Sequence, residues 1–138
     1  MKTLRKHILV VDDDPALRTL FQALLENYGY TSETAGNGGE AEAKLAQGHY
    51  DTVLLDYMMP GPNGMTVLHR IQQHYPSLPV VMITGESRSQ VASQALAAGA
   101  RACLYKPFDC KDFEEVLRST VGTAPLRAVM SGHVAPTS

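Results

Sequence analysis

The sequence predicts an α/β fold, a five-stranded parallel sheet with helices on both faces, and three observations support it. Residues 8–11 (ILVV), 53–55 (VLL) and 79–84 (PVVMIT) are short, nearly continuous apolar runs, as in strands buried on both faces. Between the strand-like runs lie segments with apolar residues three and four apart, the pattern of one-sided helices. The two patterns alternate along the chain without an internal repeat, which calls for right-handed crossovers and hence a parallel sheet.

The first strand, 8–11, runs into Asp12-Asp13-Asp14-Pro15, where Asp14 caps a helix and Pro15 is its first residue. Leu17, Leu20, Phe21, Leu24 and Tyr28 form one core-facing stripe, and Gly29 ends the helix. Residues 30–35 alternate and contain threonines, as expected of a strand nearer the sheet edge. A Gly-Asn-Gly-Gly loop follows, then a short helix over 40–47 with Ala41 and Leu45 inward. The central strand delivers Asp56 to its end, and Pro60-Gly61-Pro62-Asn63-Gly64 forces a loop. Met65, Leu68 and Ile71 mark a helix that stops before Pro76, and strand 79–84 ends at Thr84-Gly85-Glu86. Residues 87–98 predict a weak helix anchored by Val91 and Leu96 among alanines, and 100–105 the fifth strand. After Lys106-Pro107-Phe108, Asp109 caps a last helix with Phe113, Val116, Leu117 and Val121 inward. Gly, Ala, Pro, Ser and Thr dominate 122–138, which reads as a flexible tail or linker stub after one domain spanning 1–121.

Composition excludes several classes. With 138 residues, 44% hydrophobic and 19% charged, the chain is long enough for one buried core. A formal charge of −2 without a clustered basic face gives no reason to expect direct nucleic-acid binding. The apolar run after Lys2, Arg5 and Lys6 is too short for a signal peptide, and nothing later reaches membrane-spanning length. No membrane contact, a cytoplasmic location and reduced thiols at Cys103 and Cys110 are therefore expected. The histidines are scattered, and no Cys/His spacing suits a metal.

In a parallel sheet the carboxyl ends of the strands share one edge, where open α/β folds bind ligands. That edge would gather Asp12, Asp13, Asp56, Thr84 and Lys106. Carboxylates so crowded repel by roughly 4 kcal/mol per pair at about 4 Å, which a cation or a shared proton relieves. Hard oxygen donors without His or Cys favour Mg²⁺, with Mn²⁺ the alternative. A divalent ion, a lysine, a hydroxyl and one carboxylate free to attack suit phosphoryl transfer, which demands mainly positioning and charge neutralisation. Asp56 is the better nucleophile, forming an acyl phosphate, and the adjacent Asp12 and Asp13 more naturally hold the ion.

Taken together, VVDDDPALR, LLDYMMPGPNG, VVMITG and LYKPF resemble the receiver domain of two-component response regulators, over about residues 7–121. The resemblance implies the flavodoxin-like doubly wound sheet of order 2-1-3-4-5, for which a member of this family is a standard example. It implies that Asp56 accepts a phosphoryl group from a phosphohistidine of a sensor histidine kinase or phosphotransfer protein, and later loses it slowly to water. Asp13 would bind Mg²⁺ directly, Asp12 largely through water, with the Met58 carbonyl completing the protein ligands. Thr84 would turn its hydroxyl toward the phosphate, Lys106 would pair with a phosphoryl oxygen, and the Lys106–Pro107 bond would be cis. The output would be a contact made by the fourth helix, fifth strand and last helix, with a downstream protein or a further output domain. Phosphorylation-dependent homodimerisation stays open.

The sequence departs from the family in places. Cys103 stands where the family places an aromatic switch residue, and Tyr105, two residues on and on the same strand face, is a candidate substitute. Cys103 itself reads as a small buried apolar residue rather than a redox sensor. Gly85 replaces the common alanine, and Met58 and Glu86 hold the two positions that tune dephosphorylation. Two other readings compete: a haloacid-dehalogenase-like phosphatase with Asp12 as nucleophile and Asp14 as acid, and a receiver-like binding module that takes no phosphate. Against the first, Asp14 is followed by Pro15-Ala16 and Asp56 goes unexplained; the intact acidic pair, Asp56, Thr84 and Lys106 weigh against the second.

Overall fold

Continuous apolar runs can be covered only from both sides, and the chain does this with two layers of helices around one sheet. The structure, a computed structural model, describes residues 5–59, 61, 63–85, 90–121, 129–130 and 133–134. Along the chain come β1 (His7–Val11), α1 (Pro15–Asn27), β2 (Thr31–Ala35), α2 (Gly38–Gln47) and β3 (Thr52–Asp56). They are followed by α3 (Gly64–His74), β4 (Val80–Thr84), α4 (Val91–Ala97), β5 (Ala102–Tyr105) and α5 (Cys110–Val121). The five strands are parallel in the order β2-β1-β3-β4-β5, as the resemblance implies. Every residue of β3 and β4 is buried, whereas β2, at the edge, alternates between exposed and part-buried positions up to its buried last residue, Ala35.

Strand alternation divides the core into two layers. Leu9, Val11, Val53, Leu55, Met82, Cys103 and Tyr105 face α2, α3 and α4. Ile8, Val10, Leu54, Ile83 and Leu104 face α1 and α5, where Phe21, Phe108 and Phe113 stack at centroid separations of 5.6–6.0 Å.

Several expectations need correction. Leu20 is not part of the buried stripe of α1: it is 52% exposed, and Leu25 is buried instead. Helical spacing permits either choice, and the stacking of Phe21 on Phe108 and Phe113 sets the roll that turns Leu20 outward. In α4 the anchors are Val91, Ala92 and Ala95, with Leu96 only half-buried. Residues 86–89, the start of the helix expected over 87–98, lie outside the described residues, as do Pro60 and Pro62 of the loop after β3. Helix α2 begins at Gly38 rather than at residue 40 because the Asn37 side chain caps it, accepting from the Glu40 amide at 2.9 Å. A side chain at Gly38 would sit 2.8 Å from Val67 Cγ2, so glycine permits the close approach of α2 to α3.

Two further strands of two residues each, β6 (Val129–Met130) and β7 (His133–Val134), extend the sheet beyond β5. β6 pairs parallel to β5 with Leu104 opposite Val129, and β7 pairs antiparallel to β6. The rest of 122–138 lies outside the described residues.

Candidate functional site

The carboxyl edge of the sheet gathers side chains that are far apart in sequence. Asp12 and Asp13 leave the end of β1, and Asp56 is the last residue of β3. One oxygen from each of the three carboxylates lies within 4.8 Å of the others. The Lys106 ammonium, just past β5, reaches Asp56 Oδ1 at 3.3 Å. Thr84 ends β4 fully buried, and its carbonyl accepts the Lys106 amide at 2.8 Å. The Lys106–Pro107 peptide is cis, as expected. Met58, exposed in the loop after β3, directs its backbone amide to the Asp56 carboxylate. Glu86 lies outside the described residues.

The local sequence explains why these groups stay in place. Asp12 Oδ1 accepts the Asp14 amide at 2.9 Å, Asp14 caps α1, and Arg18 on α1 donates to the Asp12 carbonyl at 2.7 Å. Asn63 caps α3, its side chain accepting from the amides of Met65 and Thr66. Gly64 packs so tightly behind β3 that a Cβ there would lie 2.5 Å from the Asp56 carbonyl oxygen and 2.6 Å from Tyr57 Cα. Neither Arg18 nor Gly64 was singled out from the sequence. The only signal for Arg18 is its position one turn into the helix that Asp14 caps, and for Gly64 its place between the Asn63 cap and the apolar stripe.

Electrostatically the site is strained by its own acids. Burial, above all, pushes the Asp56 carboxyl above its ordinary value; Lys106 opposes the shift and Asp12 adds to it. Asp12 is raised for the same leading reason, with the Asp14 amide and Lys106 pulling the other way. Asp12 Oδ2 is buried and has no hydrogen-bond partner among the described residues. A buried, unpaired carboxylate oxygen is costly, and its presence beside two more acids and a lysine fits an oxygen-preferring divalent cation.

The proposed switch residues sort differently from one another. Tyr105 stands directly opposite Thr84 in the β4–β5 register, and Cys103 stands opposite Met82. Both point into the same core layer, as strand alternation requires. Cys103 is fully buried and its thiol is pushed up to about 12 by burial, so it is a packing residue rather than a nucleophile. None of these site residues lines the ≈ 520 Å³ cavity at the opposite edge of the sheet, between Tyr50, Tyr75, Leu78 and Arg101.

A doubly wound parallel sheet that brings an acidic cluster, a lysine and a buried threonine to its carboxyl edge defines the class of protein. The family model described as response regulator receiver domain matches residues 8–118, and the chain belongs to that family. It is 33% identical over 125 residues to the probable transcriptional regulatory protein TcrX of Mycobacterium tuberculosis, covering 91% of this chain and 53% of TcrX. It is 39% identical over 111 residues to the transcriptional regulatory protein ResD of Bacillus subtilis, covering 80% of this chain and 45% of ResD. The chain thus spans about half the length of these curated relatives. Among solved structures, chemotaxis protein CheY4 of Vibrio cholerae superposes with a TM-score of 0.80 at 28% identity, covering 85% of this chain and 99% of CheY4. Response regulator TrrA of Thermotoga maritima, solved in complex with Mg²⁺–BeF, gives a TM-score of 0.76 at 34% identity, covering 83% of this chain and 98% of TrrA. Among the described residues no helix is long and apolar enough to cross a membrane.

Proposed function

We propose that this receiver domain is the phosphoacceptor switch of a two-component phosphorelay and that Asp56 is the residue phosphorylated. The observation that carries the reading is the Lys106 ammonium 3.3 Å from Asp56 Oδ1, beside the Asp12 and Asp13 carboxylates. An Asp56 oxygen attacks the phosphorus of a kinase or phosphotransfer phosphohistidine, the N–P bond breaks, and the imidazole leaves with the electron pair. The product is an aspartyl phosphate, which water later cleaves. Asp12, Asp13 and Asp56, with the Met58 carbonyl, would hold Mg²⁺, the role played by bound metal being to neutralise charge on the phosphoryl oxygens. Lys106 stabilises the same oxygens from the other side, and the Met58 amide orients the Asp56 carboxylate. Met58 and Glu86 would tune the lifetime of the phosphoryl group.

Thr84 would move its hydroxyl toward the phosphate. Its cross-strand partner is Tyr105, which supports Tyr105 rather than Cys103 as the side chain that responds. The response would spread over the face of α4, β5 and α5. That face would meet a downstream protein or an output domain beyond the receiver unit of residues 1–121, in the cytoplasm. An Asp12-based phosphatase fits less well, because Asp12 Oδ1 is engaged by the Asp14 amide and Asp14 is occupied in capping α1.

The test is incubation with acetyl phosphate and Mg²⁺ followed by intact mass measurement. The wild type should gain one phosphoryl group and Asp56→Asn none. An equal gain in the variant, or modification at Asp12, refutes the assignment. If Tyr105→Ala leaves the difference in partner binding between phosphorylated and unphosphorylated protein unchanged, Tyr105 is not the responding side chain.

A further inference from the structure

Every polar atom of Asp12 but one is held in place. Its backbone amide donates to the Ala35 carbonyl at the end of β2, at 3.0 Å. Its Oδ1 accepts the Asp14 amide at 2.9 Å, and its backbone carbonyl accepts Arg18 Nη1 at 2.7 Å. The exception is the buried Oδ2, which has no partner among the described residues. The Asp12 carbonyl belongs to the planar peptide unit that joins Asp12 to Asp13. Holding it fixes that plane, and with it the direction in which both carboxylates leave the chain. Arg18, half-buried on α1, reaches this carbonyl across ground left open by a glycine. A Cβ at Gly36 would lie 3.1 Å from Arg18 Nη1 and 3.3 Å from Glu40 Oε1, so the guanidinium would have to give way by a few tenths of an ångström. The loop itself is anchored, because the Gly36 amide donates to Glu40 Oε1 at 2.6 Å.

We propose that Arg18 is a positioning residue for the divalent cation, holding the Asp12–Asp13 peptide so that both acids converge with Asp56 on one point. The inference rests on the reading of Asp12, Asp13 and Asp56 as Mg²⁺ ligands. Arg18 contacts the main chain rather than a carboxylate, so it orders the acids while leaving their charge for the ion. Its planar guanidinium, with donors fixed relative to one another, suits a carbonyl that must be kept at one angle. Without it the peptide plane can rock, and the acids must then be ordered at the moment of binding, which costs affinity. Arg18 therefore sets how tightly the ion is held, not the transfer step itself. Groups that orient metal ligands commonly account for about 10–100-fold in affinity.

The experiment measures urea stability across a Mg²⁺ series for the wild type, Arg18→Met, Arg18→Lys and Gly36→Ala. Each protein's gain over its own value in EDTA yields its Mg²⁺ dissociation constant, whatever the substitution does to the metal-free fold. Arg18→Met, which keeps an apolar stem but no donor, should raise that constant about tenfold. The Mg²⁺ concentration giving half-maximal phosphorylation by acetyl phosphate should rise by the same factor, with the maximal rate within about twofold of wild type. Arg18→Lys, which keeps a donor, should recover part of the loss. Gly36→Ala leaves Arg18 intact but crowds Nη1 from the other side, and should weaken binding in the same direction by a smaller factor. A lower stability in EDTA with an unchanged Mg²⁺ constant in Arg18→Met and Gly36→Ala makes Arg18 a purely structural residue and overturns the inference. A wild type that gains nothing from Mg²⁺ overturns the ligand reading itself, and the inference with it.

Discussion

Replacing Asp56 by Asn should make the metal-free protein more stable. At an effective dielectric of about 20, carboxylate oxygens within 4.8 Å of each other repel by roughly 3.5 kcal/mol or more, so Asp12 alone opposes Asp56 by at least about that amount. Asp13 adds a further repulsion, reduced because its side chain is exposed. The Lys106 ammonium, at 3.3 Å, returns roughly 5 kcal/mol before screening at its partly exposed end. Attraction and repulsion nearly cancel, and the burial of Asp56 remains without compensation, which is why its carboxyl is raised. A neutral isostere removes that cost while Lys106 can turn to solvent, so a gain of about 1–2 kcal/mol is expected at neutral pH. The assay is urea unfolding in EDTA, followed by the same measurement in excess Mg²⁺, which should stabilise the wild type more than Asp56→Asn. Because Asp56 and Asp12 are both raised, the folded metal-free protein keeps protons that the unfolded chain releases. Its stability should thus fall as pH climbs from the ordinary aspartate value through the raised folded ones, and the fall should be shallower in Asp56→Asn. An Asn variant less stable than the wild type in EDTA, with a steeper pH dependence, would refute this account.

Lys106→Ala should have the opposite sign, destabilising the metal-free protein by about 1–2 kcal/mol in the same urea assay, since it leaves Asp56 and Asp12 without their cation. Gly64→Ala should cost about 1–3 kcal/mol and slow phosphorylation by acetyl phosphate, because the added methyl meets backbone atoms of Asp56 and Tyr57 that cannot swing away. Gly85→Ala, which meets nothing within 4 Å, should change stability by less than about 0.5 kcal/mol and serves as the control. Iodoacetamide should add one adduct to the native protein, at exposed Cys110, and a second at Cys103 only after unfolding in urea, as read by intact mass.

Much of this molecule could be read from its residues alone, and the reason is local. Strands buried on both faces must be continuously apolar, so β1, β3 and β4 announced themselves, and with them the polar residues at their ends. Once those strands are parallel, Asp12, Asp13, Asp56, Thr84 and Lys106 have nowhere to go but one edge, and the acids and Lys106 meet there within 4.8 Å and 3.3 Å. Caps are equally local: Asp14-Pro15 opens α1 where the sequence indicates.

What tertiary structure decided depends on neighbours distant in the chain. Three- and four-residue spacing could not choose between Leu20 and Leu25 for the core, because the roll of α1 is set by phenylalanines from the other end of the domain. That Asp12 Oδ2 is left buried with no hydrogen-bond partner among the described residues follows from how the strand ends pack together, not from any motif. The opposition of Tyr105 to Thr84, with Cys103 displaced to Met82, is a matter of register between strands. Register and roll are relations between segments, fixed only when their side chains pack, whereas strand ends and caps are written into consecutive residues.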